Sequence, residues 1–286
     1  MKLYENEKLS KYNWFNLGGP AKIFFKTQST QELKEFLKKN KYNIHILGAG
    51  SNTLFRDKGY DGAVIKLGNN FSYTKMIKED EIEVGAATLD VKLSDFAGQN
   101  SLSGFEFLSC IPGSVGGSIC MNSGCYGEDI SKIFLSLTAI TFEGEIVSFK
   151  KDQINFFYRG NNLEKELIIL SAIFKGNVSD KRKILQKQKD LINKKKESQP
   201  TRVKTCGSTF KNPGENKKAW ELIKSSECIG LKVGGASISE KHNNFFINNG
   251  NASSSDIEKL IKMVKDKVFK KTGTELDLEI KIIGNK

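Results

Sequence analysis

Between Gly104 and Gly127 the chain reads GFEFLSCIPGSVGGSICMNSGCYG, with glycine at 104, 113, 116, 117, 124 and 127. Glycine gives up more conformational freedom on folding than any other residue, so this density predicts neither an ordinary helix nor a strand. Clustered glycines permit positive φ and let main-chain N–H groups approach a ligand. The run Pro112, Gly113, Ser114, Gly116, Gly117 therefore suits a bound phosphate. Only Glu106 carries charge here, which leaves recognition to backbone dipoles and hydroxyls. A glycine-rich surface loop is the competing reading, since glycine marks loops as readily as ligand sites.

The chain has 286 residues, enough for two or three domains, each with its own core. Forty-five basic against 33 acidic residues leave a net charge of +12, which favours an anionic partner: a phosphorylated ligand, nucleic acid or an acidic membrane. Cys110, Cys120, Cys125, Cys206 and Cys228 form an odd set, and the opening MKLYENEKLS carries no apolar signal segment. Reduced thiols in a cytoplasmic protein are expected. No apolar run reaches the roughly twenty residues that span a bilayer. His45 and His242 stand in no cysteine and histidine ligand spacing, so no structural metal is expected.

Along the chain, AKIFFK reads as a buried strand, with Thr30 capping a helix that carries Leu33, Phe36 and Leu37 on one face. NIHIL then runs into Gly48, Ala49, Gly50, Ser51 and Asn52, followed by Thr53 and Leu54. That turn lacks both the GxGxxG spacing and the lysine of a P-loop. It reads as a pyrophosphate or ribose site, or equally as a plain strand-to-loop turn. AVIKL and IEVGA are strand-like, and Leu89 to Ala97 is an amphipathic helix.

LTAITF and EIVSF flank Glu143 and Gly144, a hairpin signal. Phe156, Phe157 and Tyr158 precede Arg159, whose guanidinium is either exposed or held by ring stacking and aimed at a carboxylate. LIILSAIF is a buried strand. From Asp180 a basic segment places Ile184, Leu185, Gln188, Leu191 and Ile192 at helical spacing, with Pro200 as its stop. A linker helix with a solvated face is the reading; nucleic-acid binding lacks interleaved aromatics.

In GSTFKNP, Ser208 has neither a nearby histidine nor a GxSxG elbow, which makes it a poor hydrolase nucleophile but leaves a proton donor. Ser253 to Ser255 cap a helix with a core stripe of Ile257, Leu260, Ile261, Val264 and Val268. In ELDLEIKIIG the apolar Leu276, Leu278, Ile280 and Ile282 alternate with charge, the period of a strand. Glu279 then points away from the apolar side, into solvent or a polar cavity.

Together, GAGSN at 48 to 52, IPGSVGG at 111 to 117, Asn122 through Gly127, Tyr158 with Arg159, GSTFKNP at 207 to 213 and the terminal LDLEIKIIG resemble the UDP-N-acetylenolpyruvoylglucosamine reductase family, over nearly the whole chain and in that family's order. Cys110 stands where the family usually has glycine, and Asp277 and Ile280 replace the more usual residues around Glu279. The resemblance implies an α+β flavoprotein of the PCMH or vanillyl-alcohol-oxidase type with a C-terminal α+β substrate domain. It implies residues 1–68 plus 276–286 and 69–178 as two FAD-binding subdomains, 179–200 as a basic linker helix and 201–275 as the substrate domain, of the family's compact second type.

It further implies non-covalent FAD held by Gly48, Ala49, Gly50, Ser51, Asn52, Leu54, Pro112, Gly113, Ser114, Gly116, Gly117, Asn122, Gly124 and Gly127. NADPH is the implied co-substrate and UDP-N-acetylglucosamine enolpyruvate the acceptor, contacted by Tyr158, Lys211 and Asn212. Ser208, Arg159 and Glu279 are the implied catalytic residues: Ser208 as proton donor to C2, Arg159 and Glu279 as partners of the substrate carboxylate. A monomer without nucleic-acid or membrane partners is expected. The rival readings are another FAD oxidoreductase of this fold acting on an alcohol or a different sugar, and a basic nucleic-acid binder.

Overall fold

Residues 2–164, 166–214 and 216–286 are described by a computed structural model. In it the chain divides into two units. Unit 1 contains Phe24–Ala49 and Val64–Lys195, with the first residues to Leu3; unit 2 contains Tyr4–Ile23, Gly50–Ala63 and Lys196–Lys286. The strands Pro20–Thr27 and Tyr60–Leu67 change unit part-way along their length.

Unit 1 is built on a five-stranded antiparallel sheet in the order Ile146–Lys150, Phe134–Thr141, Leu167–Lys175, Glu81–Gly85, Thr74–Lys78. Its register places Phe149 opposite Leu137, Leu137 opposite Ala172 and Ala172 opposite Val84. Leu137, Ala139, Ala172, Phe174, Ile82 and Val84 are buried on this sheet, as period-two alternation requires. The strands read from LTAITF, EIVSF, LIILSAIF and IEVGA are all present. Thr74–Lys78, with three charged or polar residues among five, carried too weak a pattern to be read.

Among the described residues, five helices of this unit follow the chain: α1 (Thr30–Lys39), α2 (Asp90–Gln99), α3 (Val115–Cys120), α4 (Ile130–Ile133) and α5 (Lys181–Ser198, of which unit 1 holds the part to Lys195). The cap of α1 is Ser29, whose Oγ accepts from the Glu32 N–H at 3.1 Å; Thr30 is the first helical residue instead of the cap. Leu33, Phe36 and Leu37 are buried on its face, as read. On α5, Ile184 and Gln188 are buried. The Gln188 amide donates to both the carbonyl and the hydroxyl of Ser94 on α2, at 2.8 Å each.

The glycine stretch does contain a helix, against expectation. In α3 the Gly116 N–H donates to Ala86 O at 2.9 Å, and a Cβ on Gly116 would stand 3.1 Å from the Ala86 Cβ. Here the missing side chain lets the helix lie directly on the backbone after Glu81–Gly85. Close packing justifies the helical penalty of about 1 kcal/mol for glycine.

Unit 2 holds α6 (Ala219–Ser225), α7 (Ser254–Thr272) and a meander of Lys232–Val233, Ala236–Ile238 and Phe246–Asn248. Ser253 and Asp256 form a capping box on α7, and Gly273 closes it at φ 67°. The Asp57 carboxylate accepts from the next two amides, Ser254 and Ser255, at 2.8 and 2.9 Å. The α7 stripe of Ile257, Leu260, Ile261, Val264 and Val268 is buried in a core with Phe15, Leu54, Phe210 and Phe246. The chain end differs from the single strand expected: only Lys281–Ile283 is a regular strand, pairing in parallel with Thr53–Phe55. Residues 277–279 turn to another partner, described below. Among the described residues no helix is long and apolar enough to cross a membrane.

Candidate active site

Two glycine motifs distant in sequence meet within unit 1. A Cβ on Gly48 would stand 2.6 Å from Ser114 Oγ, and one on Gly117 would stand 3.5 Å from the same atom. Ser114 begins α3, yet its hydroxyl makes no capping bond there. The result is a hydroxyl flanked by two residues without side chains. Gly48 O accepts from the Lys66 ammonium, whose pKa is held low by burial and by nearby Lys26.

Gly113 answers a different need. A Cβ there would lie 2.4 Å from Asp90 Oδ2. Asp90 is fully buried at the start of α2; its N–H donates to Gly113 O at 3.1 Å, and its Oδ2 accepts from the Ser118 hydroxyl at 2.6 Å. The Gly113 amide also donates to the carboxyl. Asp90 thus clamps both sides of the turn that begins α3. Burial pushes its pKa up to about 7, against those hydrogen bonds. The amides of Val115 and Gly116 are already taken by Thr88 O and Ala86 O, each at 2.9 Å, so these two N–H groups cannot serve a phosphate.

Asn122 is likewise committed. Its Nδ2 donates to Phe157 O at 3.2 Å, and its Oδ1 accepts from the Ser131 N–H at 3.1 Å. A buried side chain with both polar ends engaged positions its neighbours instead of offering itself to a ligand. Next to it, Gly124–Cys125 and Glu128–Asp129 form a hairpin whose two-residue turn, Tyr126 and Gly127, has φ 55° and 83°. That is the type I′ geometry matching strand twist. A Cβ on Gly124 would lie 2.3 Å from Glu128 O, while nothing comes within 4 Å at Gly127.

Arg159 sits in a second tight turn, between Phe156–Phe157 and Gly160–Asn161, at φ 58°. Left-handed backbone in a non-glycine residue costs of order 1 kcal/mol or more, and such strain clusters at functional positions. One guanidinium nitrogen donates to Gly124 O at 3.0 Å, and the group lies 5.0 Å from the ring centroid of Tyr158. Of the two alternatives read from the sequence, stacking is the one present. Tyr158 itself is exposed.

In unit 2, Ser208 and Glu279 belong to one hydrogen-bonded framework. The Glu279 N–H donates to Thr209 O and the Lys211 N–H to Asp277 O, each at 2.8 Å, with Phe210 opposite Leu278. On the other side Ser208 pairs with Phe245, and the Thr209 N–H donates to Asn244 O at 2.8 Å. Asn52 joins the same framework: its Nδ2 donates to Glu279 O at 3.0 Å, and its carbonyl accepts from Lys281 at 2.9 Å. Ser208, Lys211 and Glu279 are half-buried. Asn212 Oδ1 accepts from the Ala219 N–H at 3.0 Å and so caps α6. Gly50 is fixed by packing, since a Cβ would meet Tyr12 O at 2.0 Å. Leu54, expected at a cofactor, is fully buried in the unit 2 core opposite Ile282. Its side chain therefore packs in the core that supports the strand.

Three supporting residues, Lys66, Asp90 and Asn244, escaped the sequence reading. Asp90 opens an amphipathic helix, where an acidic residue is ordinary, and Asn244 sits in the unpatterned HNNFF. Only tertiary packing turns them inward.

Residues 21–150 match the family model described as an FAD binding domain. With the sheet and helix arrangement above, this defines an FAD-binding α+β protein of the PCMH or vanillyl-alcohol-oxidase type. The 6-hydroxy-D-nicotine oxidase of Arthrobacter nicotinovorans shares that fold at a TM-score of 0.57 and 10% identity, over 96% of this chain and 88% of that one. Residues 199–283 match the model described as the C-terminal domain of UDP-N-acetylenolpyruvoylglucosamine reductase. Proteins bearing that name from Pelagibacter ubique and Rickettsia prowazekii are 49% and 46% identical, each over 96% of this chain and over 92% and 94% of their own length. The reductase of Thermus caldophilus, seen in a crystal structure, aligns at a TM-score of 0.86 with 29% identity, over 99% of this chain and 98% of that one. The chain belongs to the UDP-N-acetylenolpyruvoylglucosamine reductase family.

The residues of unit 1 fit the phosphate-bearing part of a dinucleotide. The Ser114 hydroxyl makes no capping bond on α3 and lies between two residues without side chains; a Cβ on Gly48 would intrude on it at 2.6 Å, whereas one on Gly117, at 3.5 Å, would be in ordinary contact.

Proposed function

We propose that this protein reduces UDP-N-acetylglucosamine enolpyruvate to UDP-N-acetylmuramate in peptidoglycan precursor synthesis, with NADPH as electron source. Non-covalent FAD, charged by NADPH, would supply the hydride that C3 of the enolpyruvyl group accepts. Gly48, Ser114 and Gly117 would hold its phosphates, and Asp90 would keep the α3 turn in shape. Residues 1–68 with 276–286 and 69–178 would serve the cofactor, and 201–275 the sugar nucleotide.

The observation that carries this reading is the joining of Ser208 and Glu279 through Thr209, within the segment that matches the reductase C-terminal model. Reduction at C3 builds negative charge at C2 and on the carboxylate. Ser208 would deliver the proton to C2; an alcohol is a weak acid, but an enol with carbanion character is a strong base. Arg159, stacked on Tyr158 and tied to Gly124 O, would present its fork to the carboxylate. Glu279 would polarise the same group as a protonated or hydrogen-bonded partner, an effect worth about 3 to 4 kcal/mol in sites of this kind. Lys211 and Asn212 would support Ser208 and the substrate.

Anaerobic mixing tests the proposal. NADPH should bleach the flavin of the purified protein, and the enolpyruvyl nucleotide should restore its colour. Ser208→Ala should keep the first step and lose the second. If both steps survive that change, Ser208 is not the proton donor.

A further inference from the structure

The glycine stretch carries three cysteines that the reaction above does not use. Two of them, Cys110 and Cys125, lie on different elements of unit 1 that pack together. Cys110 ends a 3-10 turn, Glu106–Cys110, and Cys125 lies in the hairpin strand Gly124–Cys125. The Cys125 thiol reaches back to Phe107 O in that turn at 3.4 Å, and it stands within hydrogen-bond reach of the Cys110 sulfur. The Ser109 hydroxyl is 3.7 Å from the same sulfur. From α5 the Lys195 ammonium donates to the Cys110 carbonyl oxygen at 2.5 Å. Cys125 thus packs on the turn that Cys110 ends, with the Lys195 cation held on the Cys110 carbonyl, a setting quite unlike that of the other thiols. Cys206 is buried with its thiol directed to Thr53 O at 3.3 Å, and burial pushes it up to about 12.

The geometry points to a reactive dithiol at Cys110 and Cys125, a modification site at which a peroxide converts the pair to an intramolecular disulfide. The direction of attack follows from the electrostatics. The neighbouring Cys125 sulfur, with the Ser109 hydroxyl and the Lys195 charge, holds the Cys110 thiol below its ordinary range, against its burial. The same contact together with burial pushes Cys125 up. Thiolate is the nucleophile in such chemistry, so Cys110 attacks first.

Its sulfur takes one oxygen of hydrogen peroxide as the O–O bond breaks, giving a sulfenic acid and a hydroxide that takes up a proton as water. The Cys125 sulfur, deprotonated as it attacks, then displaces the second oxygen, which also leaves as water. Two thiols and one peroxide become one disulfide and two waters; the sulfurs together lose two electrons and the two oxygens gain them. The product covalently ties the turn before Pro112 to the hairpin at Gly124, so it brackets the whole glycine stretch. This step is independent of the reduction proposed above.

Trypsin leaves Cys110, Cys120 and Cys125 together in Leu93–Lys132, and cyanogen bromide cuts that peptide after Met121. The full-length protein, as purified with its flavin and carrying Cys120→Ser to remove the third thiol of this peptide, is treated with one equivalent of hydrogen peroxide, alkylated and cleaved with both reagents. We expect residues 93–121 and 122–132 to remain joined, with two thiols per chain lost and both restored by dithiothreitol. Cys110→Ser and Cys125→Ser, each in the same background, should yield separate fragments. Separate fragments from the background protein itself, with Cys110 carried on to sulfinic acid or left unmodified, would overturn the assignment. So would a link that formed only between chains.

Discussion

Asn244 offers the sharpest test of how the Ser208 segment is held. Phe210 lies opposite Leu278 as a pair without direct hydrogen bonds, because the bonds on either side use Thr209 O and Lys211 N. By the alternation of an antiparallel ladder, Phe210 must turn its own N–H and C=O the other way. Among the described residues no strand meets them there. Instead the Asn244 side chain acts as a substitute peptide: its Oδ1 accepts from the Phe210 N–H at 3.0 Å, and its Nδ2 donates to Phe210 O at 2.8 Å. Asn244 is 3% exposed and Phe210 1%, so neither backbone group has easy recourse to solvent. Leaving a buried polar group unpaired costs about 1 to 3 kcal/mol, and two such groups about 2 to 6 kcal/mol. Asn244→Ala, which opens room for a water, should fall near the lower figure. Asn244→Leu, which fills the space with hydrocarbon, should fall near the upper one.

Trp14 and Trp220 are the only two tryptophans, and both lie in unit 2. Intrinsic fluorescence during urea unfolding therefore reports the unit that contains the perturbation. The midpoint should drop while the slope stays unchanged. Reoxidation by the enolpyruvyl nucleotide should slow more than reduction by NADPH, since Ser208 is two residues from the broken bonds. Stabilities of both variants within about 0.5 kcal/mol of the parent, a surface-like effect, would refute the reasoning.

Further outcomes follow from the other unit. Arg159→Lys should lower kcat/KM by about 10² to 10³ with NADPH-driven flavin reduction unchanged, because an ammonium lacks the planar fork; steady-state turnover near the parent value would reject the carboxylate contact. Asp90 has a folded pKa of about 7, above its ordinary 3.8. The native state thus holds this proton more tightly than the unfolded chain does, and the stability gained below about pH 4 is lost as pH rises toward about 7. His45, pushed down to about 4 by burial, acts in the opposite sense over the same range. The informative quantity is accordingly the difference between parent and Asp90→Asn, from urea midpoints at several pH values: the variant should gain on the parent as pH rises from 4 to 7, and a flat difference would show that the Asp90 carboxyl is not buried in its charged form.

Much of this was legible from residue order alone. The stripe on α7 and the alternation of LTAITF against EIVSF appear where the pattern put them, because burial of one face imposes a fixed period on any chain that forms these elements. For the aromatic and arginine pair, residue order left exposure and stacking both open, and the structure shows the guanidinium over the Tyr158 ring. Glycine was harder to interpret. A gap in side-chain volume looks the same in sequence whether it admits a neighbouring side chain, as the Ser114 hydroxyl at Gly48, or a neighbouring backbone, as at Gly116 and Gly124. Only the packed neighbours tell these cases apart.

The same limit governs charge and polarity at isolated positions. Local sequence determined the strongly patterned helices and strands and supplied the chemical groups, but not α3 or the break in the terminal strand. Tertiary structure decided that Asp57 would cap a helix nearly two hundred residues away, that Asp90 would be buried, and that Glu279 would be joined to Thr209 and Asn52. The physical reason is range: side-chain periodicity is set by neighbours along the chain, whereas a buried polar group is defined by its partner, and that partner can come from any distance in sequence.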